Sequence, residues 1–230
     1  MNIFAHRGYS FKYTENSALA FEACKDLDIY GVELDVQYSK DAKVIVFHDE
    51  YLERMLGVKA FLRDLTYDQL KEYKYADGQS ILSLEEYVNI IKDTDLVTNV
   101  ELKTSIFDYK GIEEDVYKIF KAYGLLDRLI ISSFNHKSLL RFKEITDLVP
   151  IAALEASKII RPEDYLFRNG IGIYHPLFTS LDKDLVDDLH SDDIEVNAWT
   201  VDYGFDFDRL NAMGVDGIIS NLPDEIMDRI

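Results

Sequence analysis

Eight times along this chain a short apolar run rich in β-branched residues gives way to a segment whose apolar residues recur at helical spacing. The runs begin near residues 2, 31, 97, 129, 150, 171, 194 and 216. Strands that alternate with helices imply a parallel sheet, because parallel neighbours need a crossover between them. Eight such units in 230 residues fit an α/β fold, a (β/α)8 TIM-type barrel. An open doubly wound sheet is the alternative, but no glycine-rich nucleotide loop follows an early strand. Residues 1–230 contain no linker, repeat or low-complexity stretch and read as one domain.

The second unit departs from the pattern. Gly31–Gln37 alternates Val32, Leu34 and Val36 on one face with Glu33 and Asp35 on the other. Two carboxylates at i and i+2 point the same way and repel, so burial calls for positive charge between them, most simply a hard divalent cation with oxygen ligands. A second β-branched run, Lys43–Phe47, follows after only Ser39–Ala42. That gap is too short for a crossover helix, so the pair reads as an antiparallel hairpin, an extra strand on the second unit. Pairing Tyr38 with Lys43 puts His48 opposite Glu33, on the carboxylate face. Residues of about 50–80 then read as an insertion, with a helix near Tyr67–Tyr73; loops of that length often act as lids or specificity elements. Met55, Leu56, Phe61 and Leu62 either build its core or line an apolar trough at the barrel mouth. Ser83 and Glu86 form a capping box ahead of the apolar helix that ends at Ile91.

Composition excludes several partners. With 43 acidic against 25 basic residues the chain carries a net charge of −18. Such a surface repels nucleic acid and anionic bilayers, so no nucleic-acid partner and no stable membrane association are expected. An anionic substrate would need a local cationic site. Cys24 stands alone, so no intramolecular disulfide forms. No run is long and apolar enough for a membrane span, and MNIFAHRGYS lacks the pattern of a signal peptide. The expectation is a soluble, cytoplasmic protein.

Barrel active sites lie at the C-terminal ends of the strands. There the sequence places His6-Arg7-Gly8, Glu33 and Asp35, Glu101 and Lys103, Ser132 and Ser133, Glu155, His175 and Trp199. His136 and His190 fall on helices and read as structural, His175 and Cys24 as packing.

Taken in order, His6-Arg7-Gly8, Glu15-Asn16, Glu33/Asp35, His48-Asp49, Glu101/Lys103, Trp199-Thr200-Val201 and Gly214–Ile219 make the chain resemble the glycerophosphodiester phosphodiesterase family over nearly its whole length. The resemblance implies a divalent metal, Mg²⁺ or Ca²⁺ with Mn²⁺ as a further option, on Glu33, Asp35 and Glu101. It implies His6 and His48 as an acid–base pair, Arg7 and Lys103 as phosphate contacts, and Trp199 as a further substrate-binding residue. The implied reaction cleaves a glycerophosphodiester into glycerol 3-phosphate and an alcohol. Thr14 stands where the family often has proline, Met55-Leu56 where threonines often follow the arginine, and Ser220-Asn221-Leu222-Pro223 where it often has T-D-x-P. The chemistry agrees with the resemblance. Cleavage needs charge neutralised on non-bridging oxygens, a nucleophile deprotonated and an alkoxide protonated, and cations and histidines suit those tasks. Which histidine is the acid, and whether the nucleophile is water or a substrate hydroxyl, stay open. Two other readings stand beside it: lysophospholipase D-like activity on single-chain lysophospholipids, which an apolar trough would favour, and a non-catalytic phosphate-ligand binding barrel.

Overall fold

A computed structural model of the chain describes residues 1–229. Strand β1 (Asn2–His6) leads through α1 (Ala18–Cys24) to β2 (Gly31–Tyr38), which turns into β3 (Val44–Val46). The insertion follows, with α2 (Glu53–Leu56) and α3 (Tyr67–Glu72), and returns through the two-residue β4 (Leu82–Ser83) into α4 (Leu84–Ile91). Then come β5 (Val97–Leu102), α5 (Ile112–Ala122), β6 (Leu129–Ser133), α6 (His136–Ile145), β7 (Ile151–Glu155) and α7 (Pro162–Asn169). The chain ends with β8 (Ile173–Pro176), α8 (Lys183–Ser191), β9 (Glu195–Ala198), α9 (Gly204–Met213), β10 (Gly217–Ser220) and α10 (Pro223–Met227).

Eight of the strands pair in parallel in chain order, and β1 joins both β2 and β10, which closes the barrel. The expected barrel, its extra hairpin strand and the insertion are all present; β4, two residues long, is an addition. No helix among the described residues is long and apolar enough to cross a membrane.

Alternation on the strands sorts the residues into two cores. Even-numbered Val32, Leu34 and Val36 of β2 join Phe21, Tyr87, Val88, Val116 and Phe120 from the helices in the main core between the barrel and its outer layer. Inside the barrel, Phe4, Ile130, Ala152, Ile173 and Ile219 form a smaller plug. That plug leaves polar side chains to the ends of the strands, where the site forms. The insertion has its own core of Ile45, Phe47, Leu52, Leu62, Leu70, Tyr75 and Ile81, with Met55 and Leu56 packed against it. Leu62, Met55 and Leu56 are therefore insertion core, whereas Phe61 remains 41% exposed.

The hairpin register differs from the expected one by a single residue. Tyr38 pairs with Val44 and Val36 with Val46. Ser39 causes the difference: its N–H donates to the Lys43 carbonyl, its hydroxyl accepts from the Lys43 N–H, and Ala42 takes a left-handed φ of 57° to close the turn. The shift turns Ile45 and Phe47 into the insertion core and removes the pairing that was expected to deliver His48.

Gly8 fixes how α1 meets β1. Its φ is +75°, and an added Cβ would stand 2.9 Å from backbone and Cβ atoms of Ala20. The glycine thus serves helix packing. Gly8→Ala adds left-handed strain to a clash with backbone that cannot give way, and should cost about 1–3 kcal/mol in urea unfolding; unchanged stability would contradict this.

Candidate active site

Register brings the acids together. Asp35 on β2 lies beside Glu101 on β5, and Glu33 pairs with His6 on β1. Oxygens of Glu33, Asp35 and Glu101 all lie within 4.8 Å of one another. Glu33 and Asp35 are almost fully buried. A cluster of three carboxylates is costly out of water unless each charge is met.

Two cations meet them. The Arg7 backbone N–H donates to Glu33 Oε2 at 2.9 Å, and its guanidinium Nε lies 3.3 Å from Asp35 Oδ2. Lys103 Nζ lies 3.1 Å from Glu101 and 3.9 Å from Asp35. Asn16 Nδ2 donates to Asp35 Oδ2 at 2.9 Å. Arg7 and Asn16 both sit at positive φ, 57° and 54°. The outcome is uneven. Burial tends to raise Asp35, but Arg7, His48 and Lys103 hold it below the usual carboxylate range. Burial, then Asp35 and Glu101, push Glu33 well above that range. Burial, opposed by Lys103 and aided by Asp35, pushes Glu101 up to about 7.

The cluster fits a hard divalent cation. Its donors are all carboxylate oxygens, and Asp35 Oδ1 is buried without a hydrogen-bond partner.

His6 is oriented from the far end of the chain. Its Nδ1–H donates to Asn221 Oδ1 at 2.7 Å. Asp202 accepts from both the N–H and Nδ2 of Asn221, which fixes the amide so that its oxygen faces His6. The ring must therefore donate from Nδ1, leaving the lone pair on Nε2, 3.9 Å from Glu33. Burial, then Arg7, push His6 down to about 4.

His48 arrives by a different route from the one expected. Strand β3 ends at Val46, and the buried Gln37 amide donates to the carbonyls of Phe47, His48 and Asp49 at 2.9–3.1 Å. Tyr109 donates to the Gln37 oxygen in turn. This clamp bends the chain back, and His48 Nδ1–H donates to Asp49 at 2.7 Å while Nε2 accepts from Lys103 Nζ at 3.2 Å.

These groups open on a pocket whose walls include His6, Arg7, Glu33, His48, Glu101 and Trp199. Trp199 donates its indole N–H to the His175 carbonyl and packs at nearly a right angle to Phe134, which lines the pocket beside it. Ser132 lines the pocket, whereas Ser133, Glu155 and His175 do not. His175 is fully buried, and burial pushes it down to about 3. His136 bonds the Leu154 carbonyl and Tyr165, and His190 bonds Asp216.

A model of the glycerophosphoryl diester phosphodiesterase family matches residues 6–225. The chain belongs to this family. A glycerophosphodiester phosphodiesterase of Caldanaerobacter subterraneus subsp. tengcongensis is 34% identical, with 99% of this chain and 97% of that protein covered. One from Bacillus altitudinis is 35% identical over 96% and 95%. Among solved structures, a Thermotoga maritima glycerophosphodiester phosphodiesterase superposes with a TM-score of 0.80 at 26% identity, covering 99% and 97%. An Oleispira antarctica phosphodiesterase, in complex with the product sn-glycerol-3-phosphate, superposes with a TM-score of 0.91 at 23% identity, covering 99% and 96%. Within this family the chain is an enzyme, a phosphoric diester hydrolase.

Three contributors were not read from the sequence: Gln37, Asn99 and the Asn221–Asp202 pair. Gln37 continues the Glu33–Asp35 face, and Asn99, which lines the pocket with both amide atoms unpartnered, precedes Glu101 on the same face. Period-two spacing on these strands was the available signal. For Asn221, 215 residues from His6, the signals were its place at the end of the last strand and its position in the segment that replaces the family's frequent T-D-x-P.

The raised Glu33 gives a signed prediction for metal-free protein. A carboxyl whose folded pKa exceeds its unfolded value stabilises at low pH and loses that contribution as pH rises. Glu33→Gln in the presence of chelator should therefore be more stable than wild type near neutral pH, the gain vanishing below the ordinary carboxylate range. Urea melts at both pH values check this; a destabilised variant at neutral pH would show Glu33 to be a structural ion-pair member.

Proposed function

We propose that the pocket hydrolyses glycerophosphodiesters to glycerol 3-phosphate and an alcohol, with one divalent cation and with His6 and His48 as the proton-transfer pair. The observation that carries this reading is the pair of histidines. Each has Nδ1 tied to a fixed acceptor, and each turns Nε2 toward the carboxylate cluster and its two cations. Glu33, Asp35 and Glu101 would hold the cation, magnesium or calcium with manganese as a third option. When bound, it supplies positive charge to offset the non-bridging phosphate oxygens.

The chain's own residues supply the rest. Arg7 and Lys103 meet the anionic phosphate, and Trp199 walls the substrate. One imidazole takes the proton of the attacking hydroxyl, from water or from the substrate itself, and the other returns a proton to the departing alkoxide. The product held by the Oleispira antarctica neighbour is in keeping with a glycerol 3-phosphate half. The buried lone thiol and acidic composition agree with a cytoplasmic setting. A lysophospholipid is the second reading, favoured by the exposed Phe61 and Ile106 that line one cleft outside the pocket.

Release of the head-group alcohol from a panel of glycerophosphodiesters and lysophospholipids, with and without added cations, tests the proposal; the other product is glycerol 3-phosphate from the former and a lysophosphatidate from the latter. Exhaustive EDTA treatment should abolish turnover and Mg²⁺, Ca²⁺ or Mn²⁺ restore it. Full activity of protein shown to be metal-free would exclude the cation's role. Binding without turnover on every substrate would favour the binding-barrel reading.

His6→Ala and His48→Ala should each lower kcat by about 10²–10⁴-fold, with smaller effects on substrate binding. A nitrophenyl leaving group, stable as an anion, should rescue the variant lacking the acid and not the one lacking the base. Small, equal effects on natural and activated substrates would remove both residues from proton transfer.

A further inference from the structure

Arg54 comes from the insertion and reaches both halves of the site. Its Nε lies 2.5 Å from Asp49 Oδ2 and its Nη2 3.0 Å from Asp49 Oδ1. The same guanidinium holds Glu15, Nη1 to Oε2 at 3.0 Å and Nη2 to Oε1 at 2.6 Å. Beyond these carboxylates stand the groups of the site: Asp49 accepts from His48 Nδ1, and Glu15 Oε1 accepts from Arg7 Nη1 at 3.0 Å. We propose that Arg54 is a positioning residue that fixes His48 through Asp49 and Arg7 through Glu15, so that the folded insertion sets the geometry of the barrel site. The proposal rests on the roles given above to His48 and Arg7.

The geometry favours this over an ordinary surface ion pair. A single exposed pair contributes little, but a planar guanidinium forked onto two carboxylates fixes direction as well as distance. One nitrogen touches both carboxylates, so these stand close enough to repel once the cation is removed. Asp49 would then turn from Glu15, and His48 would lose the acceptor that keeps its proton on Nδ1. Arg54 is itself held. It lies on α2, which Leu52, Met55 and Leu56 anchor in the insertion core and Gly57 ends at a left-handed φ of 69°. Met55 and Leu56, the departure from the family's frequent threonines, are thus the residues that seat the helix carrying Arg54.

The test compares Arg54→Met, Arg54→Lys, Asp49→Asn, the double variant Arg54→Met/Asp49→Asn and, as a control in the same insertion, Lys59→Gln. Arg54→Met should lower kcat about 10–100-fold, the usual cost of losing a group that orients a functional residue. Arg54→Lys, which keeps the charge without the fork, should recover only part of it. The double variant should lose less than the product of the two single losses, since Asp49→Asn already removes the arm that acts through His48 and leaves only the Arg7 arm to be lost. Nitrogen-15 NMR of the histidine rings at alkaline pH supplies a readout independent of turnover. His48 should carry its proton on Nδ1 in wild type and in Lys59→Gln, and lose that preference in Arg54→Met. An unchanged tautomer in Arg54→Met, multiplicative losses in the double variant, or an equal loss in Lys59→Gln would each overturn the proposal. If wild type cleaves no glycerophosphodiester, the functional reading fails, and the tautomer comparison still decides the role of Arg54.

Discussion

Mutual repulsion among Glu33, Asp35 and Glu101 is the constraint on which the rest of the site is built. Parallel pairing of β2 with β5 makes the contact unavoidable, because laterally paired residues point the same way. Several local features nearby answer it. The left-handed Arg7 turns a backbone N–H onto Glu33 and its guanidinium toward Asp35; the left-handed Asn16 turns its amide onto Asp35. Lys103 rises from the same face as Glu101, two residues on. Gly8 and Ser17 then let α1 start close against β1, which holds Asn16 in reach. The left-handed backbone is itself a cost, and it persists because the contacts it permits hold together an arrangement that charge alone would disperse.

The two histidines are held by two unrelated devices that reach the same chemical result. His6 relies on a neutral amide locked by Asp202, at the closure of the barrel where β10 returns to β1. His48 relies on a carboxylate locked by Arg54, outside the barrel wall. Both partners accept from Nδ1, so both rings keep Nε2 for the pocket. The barrel thus supplies charge and the rigid frame, while the insertion orients one of the two histidines. A long loop after the second strand is for this reason part of the site, and its apolar core is what makes it dependable.

The strands and their acids were legible because burial and alternation leave a strong period-two signal, and β2 carries it over eight residues. Helix α4 was legible through its capping box, Ser83 with Glu86. The hairpin register was not. Nothing in the apolar pattern distinguishes pairing Tyr38 with Lys43 from pairing it with Val44, and the choice falls to Ser39 and the left-handed Ala42 in the turn. His48 nevertheless reached the place expected of it, through the Gln37 clamp and not through pairing. The Asn221 contact with His6 was hidden for a simpler reason: a barrel closes by joining its ends, and no local pattern records which side chains meet across the seam.

Charge ties these parts together. The chain's net charge of −18 opposes the approach of any phosphodiester, and the site itself sets three acids against Arg7 and Lys103. Left to its own residues the pocket is not an anion receptor. It can lower its charge only by holding protons, the direction in which Glu33 and Glu101 are both displaced. A divalent cation on the same oxygens would replace those protons and reverse the sign of the local field, leaving Arg7 and Lys103 free to face an anion. On this argument the acids are neither incidental to a basic pocket nor in conflict with an anionic substrate. A cation held there would make phosphate recognition conditional on its presence and confine it to this mouth of an acidic surface.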